Sequence, residues 1–229
     1  MNLDDAARLT GETEQEIRRW QSLGLVPEAE GFGADGLERI GLIRFAARRG
    51  VSPDDMATFC AEQGDWLETF VRWAVRPGQG VAYSRQELAE RAELDPEVLD
   101  KILNAAGLRD RDYGYDDDLE SARLVATALK FGFPLEALLQ ILRVASDSLG
   151  RVSEAMVRLF HVHVHERFRA EGLTGPELMA ATQNLADPMS DLVEPTVVYF
   201  HRKAWERANR EDMILHLLEE AAPPSAVPG

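Results

Sequence analysis

The chain has 229 residues, enough for one large or two small domains that bury a real core. Its 40 acidic against 25 basic residues leave a net charge of −15, which opposes non-specific attraction to nucleic acid or anionic lipid. The single cysteine, Cys60, excludes an intramolecular disulfide and suits a reducing cytoplasm, and no run of about 18 uncharged apolar residues offers a membrane span.

Helix formers dominate, and β-branched runs bounded by turn residues are almost absent, which predicts an all-α fold. The first predicted unit, residues 1–76, opens without the basic and apolar pattern of a signal peptide. Its stretch Leu9–Leu25 has the cadence of a helix-turn-helix. The same cadence returns in Arg91–Leu108, and an offset of 82 residues sets Ile17 on Leu99 and Trp20 on Ile102. After a one-residue insertion Gly24-Leu25 meets Gly107-Leu108. The first offset then returns, with Leu37 on Leu119, Ile43 on Val125 and Gly50 on Gly132. Each copy reads as helix, tight turn, helix, short wing-like loop, long helix, glycine break and a following helix. The first copy ends in Trp66–Val75, whose tryptophans are expected to be buried, and Arg76–Gly80 breaks the chain.

The second predicted region spans 83–219. Ser84 with Glu87 forms a capping-box pattern, and Asp116-Asp117-Asp118 favours the start of a long helix. Phe133-Pro134 opens the next helix, with Leu135, Leu138, Leu139, Leu142 and Leu149 expected on its buried side. Residues 83–150 form the second helix-turn-helix-like unit, and 151–219 form dimerisation and transmitter helices. In this last part Ser153 to about Arg169 predicts a helix with Met156, Leu159, Phe160, Val164 and Phe168 on one face. A break is expected near Asp187-Pro188, and a long helix from Pro195 to about Leu218. Residues 220–229 read as a linker or disordered tail.

Chemistry-bearing motifs are sparse. There is no phosphate loop and no nucleophile elbow, and Cys60 lies among apolar neighbours, so no catalytic residue is nominated. His161, His163 and His165 alternate along a predicted helix, so that His161 and His165 share a face while His163 points away. Val162 stands where a zinc protease carries its glutamate. No metal or other cofactor is therefore expected, and the three histidines with His201 are candidates for pH sensing, since imidazole changes charge near neutrality.

Residues 3–62 resemble the winged helix-turn-helix of MerR-type regulators through "AARLTG", "IRRW", "LGL" and "ARRGVSPDDM". That resemblance implies DNA contact by Arg18 and Arg19. However, the reading helix begins Glu12-Thr13-Glu14-Gln15-Glu16, and the loop at 28–33 lacks arginines. Nucleic acid is thus an unexpected partner, and a ligand-responsive DNA-binding regulator stands as the alternative reading.

From Tyr83 onward the chain resembles the N-terminal regulatory domain of actinobacterial, mycobacterial-type class III adenylate cyclases. The matching segments are "YSRQELAERAELDPEVLDKILNAAGL", "DLESARLVATALKFGFPLEALLQILRVASDSLGRVSEAMVRLFHVHVHERF" and "VEPTVVYFHRKAWERANREDMILHL". The resemblance implies an all-helical homodimer that controls a cyclase catalytic domain in cis or in trans. It also implies regulation by pH or by an apolar ligand such as a fatty acid. The lining expected for such a ligand is Phe131, Phe133, Leu138, Leu142, Met156 and Phe160. The metal-binding aspartates of a cyclase core are absent. The chain is therefore expected to be either a regulatory fragment of a longer protein or a solitary regulator, and in neither case an enzyme.

Overall fold

A computed structural model describes residues 1–28, 31–72, 80–108 and 111–221, with side chains to 218. The fold is all-α, with one two-stranded antiparallel sheet. The first copy comprises α1 (Leu3–Thr10), α2 (Glu14–Ser22), α3 (Ala34–Ala47), α4 (Pro53–Gln63) and the short α5 (Trp66–Phe70). The second comprises β1 (Tyr83–Ser84), α6 (Arg85–Arg91), α7 (Pro96–Ala105), β2 (Tyr113–Gly114), α8 (Asp116–Lys130) and α9 (Leu135–Phe160). A π-helical turn over His161–His165, then α10 (Glu166–Ala170) and α11 (Gly175–Ala221) follow.

The repeat holds at the level of single hydrogen bonds. Asn2 caps α1 in a capping box with Asp5, and Ser84 caps α6 in a capping box with Glu87. Thr13 and Asp95 cap the second helices, and Ser52 and Pro134 precede the fourth. Where β1 pairs with β2 through Tyr83 and Gly114, Met1 and Phe32 exchange two backbone bonds of 2.7 and 3.0 Å at the same 82-residue offset. The turn that ends the second helix of each copy uses left-handed Gly24 (φ 72°) and Gly107 (φ 74°), a conformation that costs glycine nothing. At the end of the first helix the copies differ: Gly11 (φ 65°) corresponds to Glu93 (φ 55°), a left-handed residue with a side chain.

Ala6, Leu9, Ile17, Trp20, Leu25, Leu37, Ile40 and Ile43 form the first core. Two residues of the second copy, Tyr113 and Tyr115, complete it. Between the copies lies the buried carboxylate of Glu38, on α3. Arg111 Nη2 donates to its Oε1 at 2.8 Å and the Tyr113 hydroxyl at 3.2 Å. Arg8–Glu87 at 3.9 Å and Arg44–Asp112 at 3.1 Å lie on the same seam. Burial, followed by the negative charge of Glu38, pushes the Tyr113 and Tyr115 hydroxyls well above their ordinary value. The second copy's own core is smaller. Leu88, Ala89, Leu99 and Leu119 form one cluster, and Ile102, Ala105 and Leu139 another.

Several expectations need correction. Trp66 is half-buried, edge-on to Phe59 at 6.1 Å and tilted on Phe70 at 5.1 Å, while Trp73 and the break at 76–79 lie outside the described residues. α9 runs straight through Gly150, because an interior glycine costs a helix only about 1 kcal/mol against alanine. Leu149 and Leu159 are exposed rather than buried. The breaks expected at Pro188 and before Pro195 are absent, and both prolines sit inside α11. A proline removes one backbone donor but does not oblige a helix to stop. The tail from 222 lies outside the described residues.

By compactness the chain divides at residues 183 and 184, whereas the sequence places its boundaries near 76–83 and 150. In residues 1–183, the first turns of α11 are tied to α5 by a Gln183–Thr69 side-chain hydrogen bond. Residues 184–221 continue α11 as a single helix.

Two measurements follow from the Glu38 seam. Glu38→Ala leaves Arg111 and Tyr113 without their acceptor, and is expected to cost about 3 kcal/mol in urea unfolding. The tyrosine contribution is fully present below about pH 10, the ordinary phenol value, and is lost as pH rises from there towards the raised folded values. Unfolding midpoints are expected to fall above about pH 10, with a shallower fall in Tyr115→Phe.

Candidate functional site

The histidine run sits where α9 leaves α-helical register. The Glu166 N–H bonds to the carbonyl of His161, a five-residue separation in place of the usual four. In a straight α-helix residues five apart diverge by about 140° around the axis. The widened turn removes much of that divergence and carries Glu166 to the histidines. Val164, buried within the turn, faces the protein interior.

The His161 and His165 rings stack with centroids 4.9 Å apart and planes 18° apart. Glu166 Oε1 lies 3.3 Å from His161 Nε2 and 3.6 Å from His165 Nδ1. Arg169 Nη1 donates to the same oxygen at 3.2 Å. Partial desolvation, the largest single influence, pushes the Glu166 carboxyl up, but the Arg169 hydrogen bond and charge with the neighbouring histidines outweigh it and hold the group below the usual carboxylate range. His165 Nδ1 is buried with no hydrogen-bond partner, because 3.6 Å exceeds hydrogen-bonding reach. Such an orphan costs about 1–3 kcal/mol. One donor atom from each of His161, His165 and Glu166 lies within 4.8 Å of the others, the one such group among the described residues.

The structure therefore brings two of the four predicted histidines together. His163 is exposed and absent from the cluster. His201 is an exposed residue of the helix in residues 184–221. Glu166 is the member that sequence periodicity missed. The signal available was the β-branched Val162 and Val164 alternating with histidine inside a helix, which α-helical spacing alone does not turn into a π turn.

The six residues expected around an apolar ligand are spread out. Phe131 is 88% exposed in the turn after α8, and Phe133 is exposed before α9. Leu142 packs on the cluster of Ile102, Ala105 and Leu139, and Leu138, Met156 and Phe160 are half-buried along α9. From Leu138 to Phe160 the helix rises about 33 Å, so one ligand meets only part of the set. None of the six lines the cleft of about 360 Å³ that lies between the two copies. That cleft joins apolar Leu42, Phe45, Phe70 and Leu108 to Arg44, Arg48, Arg49 and Arg111.

The two arginines of the DNA alternative are engaged by carboxylates. Arg18 reaches Glu14 at 3.4 Å, and Arg19 reaches Asp54 at 2.7 Å and Glu16 at 3.5 Å. The exposed surface from α8 onward is of another kind. Leu124, Ile141, Val144, Val157 and Leu159 project into solvent from α8 and α9. In residues 184–218, Leu192, Val198, Phe200, Trp205, Met213, Ile214 and Leu217 are exposed too, with Phe200 and Trp205 each 64% accessible. No helix among the described residues is long and apolar enough to cross a membrane.

No protein-family model matches the chain, and no curated protein matches it.

Proposed function

We propose that the chain is a non-catalytic regulatory and dimerisation module of the kind that governs a class III nucleotide (adenylate) cyclase, responding to pH or to a small apolar ligand such as a fatty acid. The observation that carries this reading is the exposed apolar surface of the helix over residues 184–218. A lone helix is marginal in water, and its stability normally comes from packing an apolar face. Large apolar side chains exposed in such number along one helix favour an interaction surface. A second copy of the same helix is the partner that the resemblance implies.

Such a helix pair explains how a module without catalytic groups can control a reaction. A cyclase whose active sites form between two protomers responds to whatever sets their relative position. A ligand or proton acts on that equilibrium only through unequal affinity for its two states. Carboxylate pairing of Arg18 and Arg19 weighs against the DNA-reading alternative, because phosphate contacts require available cations.

Sedimentation equilibrium of the whole chain is expected to give twice the chain mass. Phe200→Glu with Trp205→Glu is expected to weaken self-association by at least about tenfold, since each buries a charge at an apolar contact. Joined ahead of a class III cyclase core, the chain is expected to change the turnover of that core. A monomer at high micromolar concentration, with core turnover unaltered, overturns the reading.

A further inference from the structure

We infer that His161, His165 and Glu166 form a binding site for a divalent transition-metal ion of the zinc class. The inference does not depend on the regulatory reading above and concerns a single chain. Two imidazoles and one carboxylate are the donor set of many zinc sites, with bonds of about 2.0–2.2 Å. Tetrahedral bonds of that length set donor atoms about 3.3–3.6 Å apart. The 3.3 Å from His161 Nε2 to Glu166 Oε1 and the 3.6 Å from His165 Nδ1 to that oxygen match this spacing. The three donors fall within 4.8 Å of one another, and the exposed His161 leaves the group open to an ion from solvent.

Two further observations point to a ligand. The first is His165 Nδ1, a buried nitrogen with no hydrogen-bond partner, whose nearest carboxylate oxygen, Glu166 Oε1, stays 3.6 Å away; a metal bond would satisfy it. The second is the π turn itself. Its hydrogen bond from Glu166 N–H to the His161 carbonyl supplies the third donor, which an uninterrupted helix would turn away. Insertions of this kind occur frequently at functional sites. Mixed nitrogen and oxygen donors favour zinc and its neighbours over magnesium or calcium, which take oxygen. Three protein ligands leave at least one position for water or for an incoming group, the arrangement of an exchangeable site rather than a closed structural one. Arg169, which donates to Glu166 Oε1 at 3.2 Å, competes with the ion for that oxygen.

Calorimetric titration of the whole chain with ZnCl2 tests the assignment, with far-ultraviolet circular dichroism reporting the fold of each variant. One Zn2+ per chain is expected. His161→Ala and Glu166→Gln, both surface changes, and His165→Ala are each expected to weaken binding by at least about tenfold. His163→Ala is expected to leave binding unchanged, and Arg169→Ala to tighten it by removing the competing cation. Absence of stoichiometric binding by the unaltered chain overturns the assignment. So does an affinity that survives His161→Ala with Glu166→Gln, or one that His163→Ala reduces as much as His161→Ala does.

Discussion

The buried carboxylate of Glu38 is the constraint on which the arrangement of the two helix-turn-helix copies depends. A carboxylate withdrawn from water costs several kcal/mol unless paired and hydrogen-bonded, and the partners of Glu38 all come from one short stretch of the other copy. Arg111 supplies the charge and Tyr113 a hydroxyl. The Arg111 guanidinium also lies 5.4 Å from the Tyr113 ring centroid and 5.6 Å from that of Tyr115. The two rings meet edge to face at 5.8 Å and fill the first core. A single acidic position on α3 thus couples a charge requirement to a packing requirement, and both are met only when the copies dock in one way.

This docking accounts for much of what became of a helix-turn-helix geometry in an acidic chain. Arg44, on α3, is turned to Asp112 and to the carbonyl of Thr10. Arg19, which resembles a DNA-contacting residue, spans from α2 to Asp54 on α4. Cations that a DNA reader would present to phosphate are here spent between helices. Beyond α8 the balance reverses. Ion pairs there are local ones such as Arg167–Glu171 and Lys203–Glu206, large leucine, valine and aromatic side chains are exposed, and few apolar residues are buried, Leu139, Val164 and Ala186 among them. Exposed large apolar side chains are concentrated in α9 and in the helix from residue 184.

The repeat was legible because capping and turn chemistry are local. Asn2 with Asp5, Ser84 with Glu87, and the glycines at 24 and 107 depend on neighbours within a few residues. The candidate site was half legible for the same reason. The spacing of His161 and His165 places them together on any helix, whereas Glu166 joins them only because the backbone hydrogen bond shifts to five residues. A proline or glycine inside a periodic segment misled in the opposite direction. Gly150, Pro188 and Pro195 each carry a local penalty that the helices around them absorb.

By itself the sequence determined the all-α class, the two-fold internal repeat, the helix starts within the two copies and the face shared by two histidines. Each of these rests on side chains acting over a turn or less. Tertiary structure alone decided that Tyr113 and Tyr115 belong to the core of the other copy, that Glu38 is buried rather than solvated, and that most apolar residues of α9 and α11 stay exposed. Periodicity marks which face of a helix is apolar. Whether that face meets another part of the same chain, water or a partner is set by long-range packing, which no local pattern encodes.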